Sequence, residues 1–264
     1  MHYKLEFSYI GTNYFGYAKQ PNKLTIQGVI EDLLTNLFSD KIIIHASGRT
    51  DKGVHALIQV ADFYSDKIIN TRNIVSYLNN NLNNDIKILN CEIVDDKFSS
   101  RFSVKSKTYA YLISDKKVNI FLSQYVYVNE LLDINKIQNA IKLFKGSHNF
   151  QNFTSKKEDE WNFIRTIYNV KVKKDKDYFE LIFKGNGFMK YMVRKMVGTL
   201  IEIGIGKIDE SFIQEQFNSN KRNIVNYTAP SFALFLKEIR YWLYTFYILT
   251  FYYFVSQSNI KVVK

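Results

Sequence analysis

The chain holds a single cysteine, Cys91, so no internal disulfide framework can stabilise it. Its setting in the apolar-rich stretch ILNCEIV reads as a buried thiol on a strand, not as a nucleophile. Histidine is nearly as scarce. His2, His45, His55 and His148 fall at no spacing that makes a zinc site, so no metal is expected. The eleven glycines form no P-loop or dinucleotide-binding loop, and no nucleotide cofactor is expected either. Pro21 and Pro230 are the only prolines, and no proline- or glycine-rich linker divides the chain. The N-terminus opens on a polar strand pattern, without a basic and then apolar leader, which points to the cytoplasm. The longest apolar stretch, WLYTFYILTFYYFV, runs about 15 residues, short of the roughly 20 that a spanning helix needs, and no membrane partner is expected.

What remains is a chain of 264 residues, 46% of them hydrophobic, enough to bury a sizeable core as one large domain or two closely joined halves. The charge is lopsided. With 36 Lys and Arg against 25 Asp and Glu, the net +11 suits a polyanionic partner, nucleic acid ahead of an anionic membrane, because each neutralised phosphate releases counterions. The lysines are scattered, however, so part of that excess belongs to ordinary solvated surface.

Periodicity sketches the elements. Tyr3, Leu5, Phe7 and Tyr9 alternate with more polar neighbours and predict a half-buried strand. Thr25 is placed to cap a helix whose apolar face is Ile26, Val29, Ile30, Leu33, Leu34 and Leu37. Residues 41–46 and 57–64 read as strands on either side of a loop, and 107–114 as a third. Asp133 caps a helix carrying Ile134, Ile137, Ile141 and Phe144, with Gly146 placed to end it. Residues 167–172 and 178–183 form a hairpin around KKDKD, 187–203 a helix and 234–241 a closing strand. Hairpins dominate. The pattern predicts an α+β fold with a mostly antiparallel sheet.

The most informative string is GRTDKGVHA, from Gly48 to Ala56. Its glycines allow a sharp turn and close approach to a ligand, Arg49 offers a fork of donors for a phosphate or a base edge, and Asp51 is the one acid among them. As a short fragment, TDKG alone would pass for an ordinary turn between strands.

The longer string SGRTDKGVHALIQVADF, Ser47 to Phe63, resembles the active-site loop of the tRNA pseudouridine synthase A family. Further segments match that family in order: FSSRFSVKSKTYAYLI from Phe98, GSHNFQNFTS from Gly146, GFMKYMVRKMVGTLIEIGIGK from Gly187 and TAPSFALFLKEIRY from Thr228. The resemblance implies a pseudouridine synthase fold of two similar halves, 1–104 with the acid loop and 105–241, sharing one central sheet with a cleft across it. It leaves 242–264 as an apolar extension of unassigned role.

The same resemblance implies isomerisation of uridine to pseudouridine at tRNA nucleotides 38, 39 and 40, in the anticodon arm, by a cytoplasmic homodimer that needs no cofactor. It assigns the catalytic carboxylate to Asp51, with Arg194 beside it to keep it ionised, and Tyr109 to stack on the displaced base and exchange a hydrogen bond or proton. Arg49 is the arginine that displaces the base or holds its phosphate, and Gly53 and His55 complete the substrate loop, His55 chiefly by fixing it. Asp51 has two roles open to it, nucleophile at the ribose or base toward the sugar.

Two departures, Tyr17 and Ala18 where the family has G-W-Q or similar, and Ala233 where it commonly has Gly, bear on pocket shape. The rival reading is a non-catalytic RNA-binding module on the same basic sheet. Such a module has no need of Asp51, Tyr109 and Arg194 together. A hydrolase would need a metal cluster or a second placed acid.

Overall fold

The computed structural model describes residues 1–155, 162–219 and 222–242. In chain order the elements are β1 (His2–Tyr9), α1 (Ile26–Phe38), β2 (His45–Ala46), β3 (His55–Tyr64), α2 (Thr71–Asn81), β4 (Ile86–Ile93), β5 (Val104–Ser114), α3 (Ile120–Ser123), β6 (Tyr127–Val128), α4 (Ile134–Ala140), β7 (Gly146–Asn149), β8 (Ile164–Lys174), β9 (Phe179–Gly185), α5 (Met192–Gly204), α6 (Ser211–Asn218) and β10 (Leu234–Tyr241).

The strands join one ten-stranded sheet in the order β4-β1-β3-β10-β5-β9-β8-β7, with β2 beside β3 and β6 beside β5. Pairing is antiparallel throughout except at β3 with β10 and at β5 with β6. This is the α+β, mostly antiparallel architecture that the patterning predicts. The last strand is the keystone: β10 lies between β3 and β5, so the C-terminal end of the described chain closes the middle of the sheet.

The alternation in β1 does what it predicts. Tyr3, Leu5, Phe7 and Tyr9 are all buried, and Tyr3 stacks on its register partner Phe63 with ring centroids 5.0 Å apart. Helix α1 is capped by Thr25, whose Oγ1 accepts from the Gly28 N–H at 3.3 Å, and it buries Ile26, Ile30, Leu34 and Phe38. Each such side chain taken out of water contributes about 1.5–3 kcal/mol, which outweighs the helix's modest length. Cys91 is buried on β4, and burial pushes its thiol up to about 12, which makes it inert as a nucleophile at neutral pH.

Three expectations change. The strand over 41–46 shrinks to His45–Ala46, because side chains on α1 take the donors it would need: Thr35 Oγ1 accepts from the Ile42 N–H at 3.1 Å, and Glu31 Oε1 from the Ile44 N–H at 3.1 Å. The helix expected from residue 187 starts at Met192, since Tyr191 just before it takes a left-handed conformation at φ 62°. Gly146 does not end α4. That helix tightens into a 3₁₀ turn at Ile141–Phe144, and Gly146 opens β7. The apolar extension beyond Trp242 lies outside the described residues; Trp242 itself is exposed, with the Lys105 ammonium 4.5 Å from its ring centroid.

Candidate active site

The loop between β2 and β3 carries the GRTDKG string to the start of β3, where β10 pairs with it in parallel through Phe235↔His55 and Leu236↔Ala56. Asp51 therefore sits at the joint of the sheet. Its carboxylate Oδ2 lies 3.6 Å from Arg194 Nη1, an ion pair just beyond hydrogen-bond length, with 22% and 16% of the two side chains exposed. Burial raises the Asp51 pKa above its ordinary value, and Arg194 and Lys190 oppose that rise. The resemblance implies that Arg194 helps to keep this carboxyl ionised. It pulls in that direction, but desolvation outweighs it.

Arg194 stands in the first turn of α5 and is fixed from three sides. Its Nε donates to the Ala229 carbonyl at 2.8 Å, its own carbonyl accepts from the Ala229 N–H at 2.9 Å, and its guanidinium lies 4.9 Å from the Tyr191 ring centroid. One turn on, Gly198 lets the helix touch the 227–229 segment. A Cβ there would come 2.7 Å from the Tyr227 carbonyl carbon, closer than any real contact. Lys195, also buried, donates from Nζ to the Val225 carbonyl, and burial lowers its pKa with Arg194 adding repulsion. The M-V-R-K-M-V-G pattern thus clamps one loop to one helix, and the clamp aims the arginine.

Tyr109 lies on β5 opposite Leu236 of β10 and Phe183 of β9, 8% exposed, with its ring edge-on to Phe188 at 5.0 Å. Burial, then the nearby Tyr9 and Asp51, raise its hydroxyl's pKa well above ordinary, so it stays protonated as a donor. Arg49 is exposed on the loop. Gly53 has φ 79°, in the region that favours glycine, and a Cβ would meet Ser231 Oγ at 2.6 Å.

His55 is 1% exposed and has no open face for a substrate. Its Nδ1 accepts from the Gly11 N–H at 3.1 Å and its Nε2 reaches the Phe232 carbonyl at 2.8 Å, which assigns the neutral tautomer with the proton on Nε2. Burial lowers its pKa, and its ring stacks on Phe235 at 4.7 Å. The residue belongs to the loop's support, tying β1's exit and the 231–233 turn to β3.

Two polar residues that the sequence reading did not single out complete that support. Gln59 is fully buried and uses both ends of its amide: Oε1 accepts from Ser47 Oγ at 2.7 Å, and Nε2 donates to the Gly48 carbonyl at 2.9 Å. Tyr9 hydroxyl then meets Thr50 Oγ1 at 2.8 Å. From β5, two residues before Tyr109 and on the same face, Lys107 donates to the Ser47 carbonyl; burial first, and Arg101 second, push its pKa down to about 8. The acid loop is thereby bonded to the strand that carries the tyrosine. Tyr17, one of the departures, is buried against Phe7 and Tyr9, and its N–H donates to the Thr50 carbonyl at 3.1 Å.

Thr12, Lys52, Gly53, Arg194, Ser231 and Phe232 line a cleft of about 400 Å³ beside Asp51. A larger hollow, about 580 Å³, lies away from the acid at the entry to α1. Among the described residues no cluster of His, Cys, Asp and Glu is arranged to hold a metal, and no helix is long and apolar enough to cross a membrane.

The family described as tRNA pseudouridine synthase matches residues 7–103 and 140–242. The chain belongs to that family. It is 37% identical over 242 residues to tRNA pseudouridine synthase A 2 of Bacillus cereus (strain ZK / E33L), covering 90% of this chain and 99% of that one. To tRNA pseudouridine synthase A of Thermodesulfovibrio yellowstonii it is 39% identical over 251 residues, covering 90% and 98%. A Cbf5-Nop10-Gar1 complex aligns at TM-score 0.34 and 13% identity over 74% of this chain and 45% of that one, too distant to bear on the argument. The family is one of isomerases. Its two matched segments contain Asp51 and Arg194, whereas Tyr109 falls between them.

Proposed function

We propose that this chain isomerises uridine to pseudouridine in tRNA, at nucleotides 38, 39 and 40 of the anticodon arm, with Asp51 as the catalytic carboxylate. The bond from ribose C1′ to uracil N1 breaks, the base turns in the site, and C5 joins C1′. Nothing is consumed. The observation that carries the reading is the Asp51–Arg194 ion pair, most of its side-chain surface out of water, beside a cleft that Arg194 and the acid-loop residues Lys52 and Gly53 line.

Each neighbour has a part in that chemistry. Asp51 acts at the ribose, as nucleophile or as base, and both roles use the ionised form that Arg194 and Lys190 favour. Tyr109 offers a ring to the displaced base and a proton-bearing hydroxyl at its edge. Arg49, exposed on the same loop, takes the place of the base in the stack or holds its phosphate. Gly53 lets the backbone come close, and His55 keeps the loop in register. The halves are 1–104 and 105–241, and a homodimer working in the cytoplasm embraces the tRNA by shape, through phosphates and 2′-hydroxyls.

The test is to incubate a purified uridine-bearing tRNA with the protein and map pseudouridine by a chemical modification specific for it. The expected product is pseudouridine confined to nucleotides 38–40. Pseudouridine elsewhere would refute the position, and none at all would refute the activity.

A further inference from the structure

Beside the acid loop, Phe15 leaves 40% of its surface in water, although its neighbours Tyr14 and Gly16 are buried. It is held rigidly there. Its N–H donates to the Leu24 carbonyl at 2.8 Å and its own carbonyl accepts from Gln20 Nε2 at 2.9 Å. The next residue, Gly16, lies against the backbone of the acid loop, so close that a Cβ would stand 3.0 Å from the Thr50 carbonyl oxygen and 3.2 Å from the Lys52 nitrogen. Phe15 is therefore presented at a fixed distance from Asp51.

Two ammoniums attend the ring. Lys23 Nζ is 4.5 Å and Lys52 Nζ 4.4 Å from its centroid. Neither has a carboxylate within ion-pair distance among the described residues, whereas nearby Lys19 is paired with Asp32 at 3.0 Å and Glu31 at 3.4 Å. Lys52 lines the cleft beside Arg194, and Lys23 lines the larger hollow at the entry to α1, so Phe15 is the ridge between two depressions. An ammonium resting on an exposed ring is weakly held, and a phosphate draws it away at little cost.

The geometry points to Phe15, Lys23 and Lys52 as a contact site for the RNA strand next to the target nucleotide, the ring stacking a flanking base or ribose and the two lysines taking its phosphates. This deepens the tRNA reading above and rests on it. The strand leaves the catalytic cleft over Lys52, crosses Phe15 and continues along Lys23 into the hollow before α1. Stacking on an aromatic ring with flanking cations is tolerant of sequence, so the site holds several tRNAs equally and helps draw the target uridine out of its stack.

The experiment compares wild type, Phe15→Ala, Phe15→Tyr and Lys23→Ala/Lys52→Ala on C5-tritiated tRNA, with direct tRNA binding over a range of salt. Phe15→Ala is expected to weaken binding at least about fivefold, with the KM raised more than kcat is lowered, and Phe15→Tyr to restore most of it. The lysine pair should lower the slope of log affinity on log salt by about one to two. All three positions are exposed and permit folded variants, and the lysine pair tests the site even if Phe15→Ala misfolds. A wild-type protein active on tRNA, with variants that bind and turn over as it does, would overturn this site alone. A wild type inert on tRNA would overturn the reading beneath it.

Discussion

At the scale of single residues the account turns on what burial does to Asp51. Because desolvation raises its folded pKa above the ordinary 3.8, the folded protein holds this proton more tightly than the unfolded chain does. Stability from this group is therefore gained as pH falls through that range and lost as pH rises through it. Activity runs the other way, since the ionised form is the working one. The acid limb of the pH–rate profile is expected to centre above 3.8, and a limb at or below that value would show that Asp51 is not the titrating group. Arg194→Lys keeps a positive charge but loses both the fork and the bond from Nε to Ala229. A rate loss of roughly a hundredfold with nearly unchanged tRNA binding is expected from single-turnover kinetics. Asp51 and Arg194 were legible in the sequence because each lies in a long, distinctive string. Gln59 and Lys107 were not, since a lone polar residue in a strand carries no sign of which face it takes or what it will meet.

Among elements, the pairing of α5 with the 227–229 segment is the most exposed to test. Gly198→Ala puts a methyl into the Tyr227 backbone, which cannot swing aside as a side chain would. Overpacking of this kind costs about 1–3 kcal/mol, and because the same contact holds Arg194 through Ala229, activity should fall further than stability does. Thermal unfolding and tritium release on one preparation check both; an unchanged rate would separate the helix contact from the site. Strongly periodic elements such as β1, α1 and β10 could be read directly. Helix α2 left little trace, because only Ile74 and Leu78 of its eleven residues are buried and four of the others are asparagines. Strand β2 came out shorter than its β-branched sequence suggests because Glu31 and Thr35 on α1 claim its donors, a tertiary choice that local propensity does not contain.

For the whole molecule, the decisive step is the insertion of β10 between β3 and β5, which brings together an acid from residue 51, a tyrosine from 109 and an arginine from 194. Pairing between strands so far apart in the chain has no local signature. The alternating pattern gave the class of the fold, while the order of the strands had to come from the structure. The measurement that tests the central claim most directly is tritium release from C5-tritiated tRNA, with no added metal or nucleotide, by the full chain and by Asp51→Asn. The substitution preserves size and most hydrogen bonding but removes charge and basicity. Wild type should release tritium, and a folded Asp51→Asn protein that still binds tRNA should be slower by several orders of magnitude. A folded Asp51→Asn protein forming pseudouridine at near the wild-type rate would contradict the account.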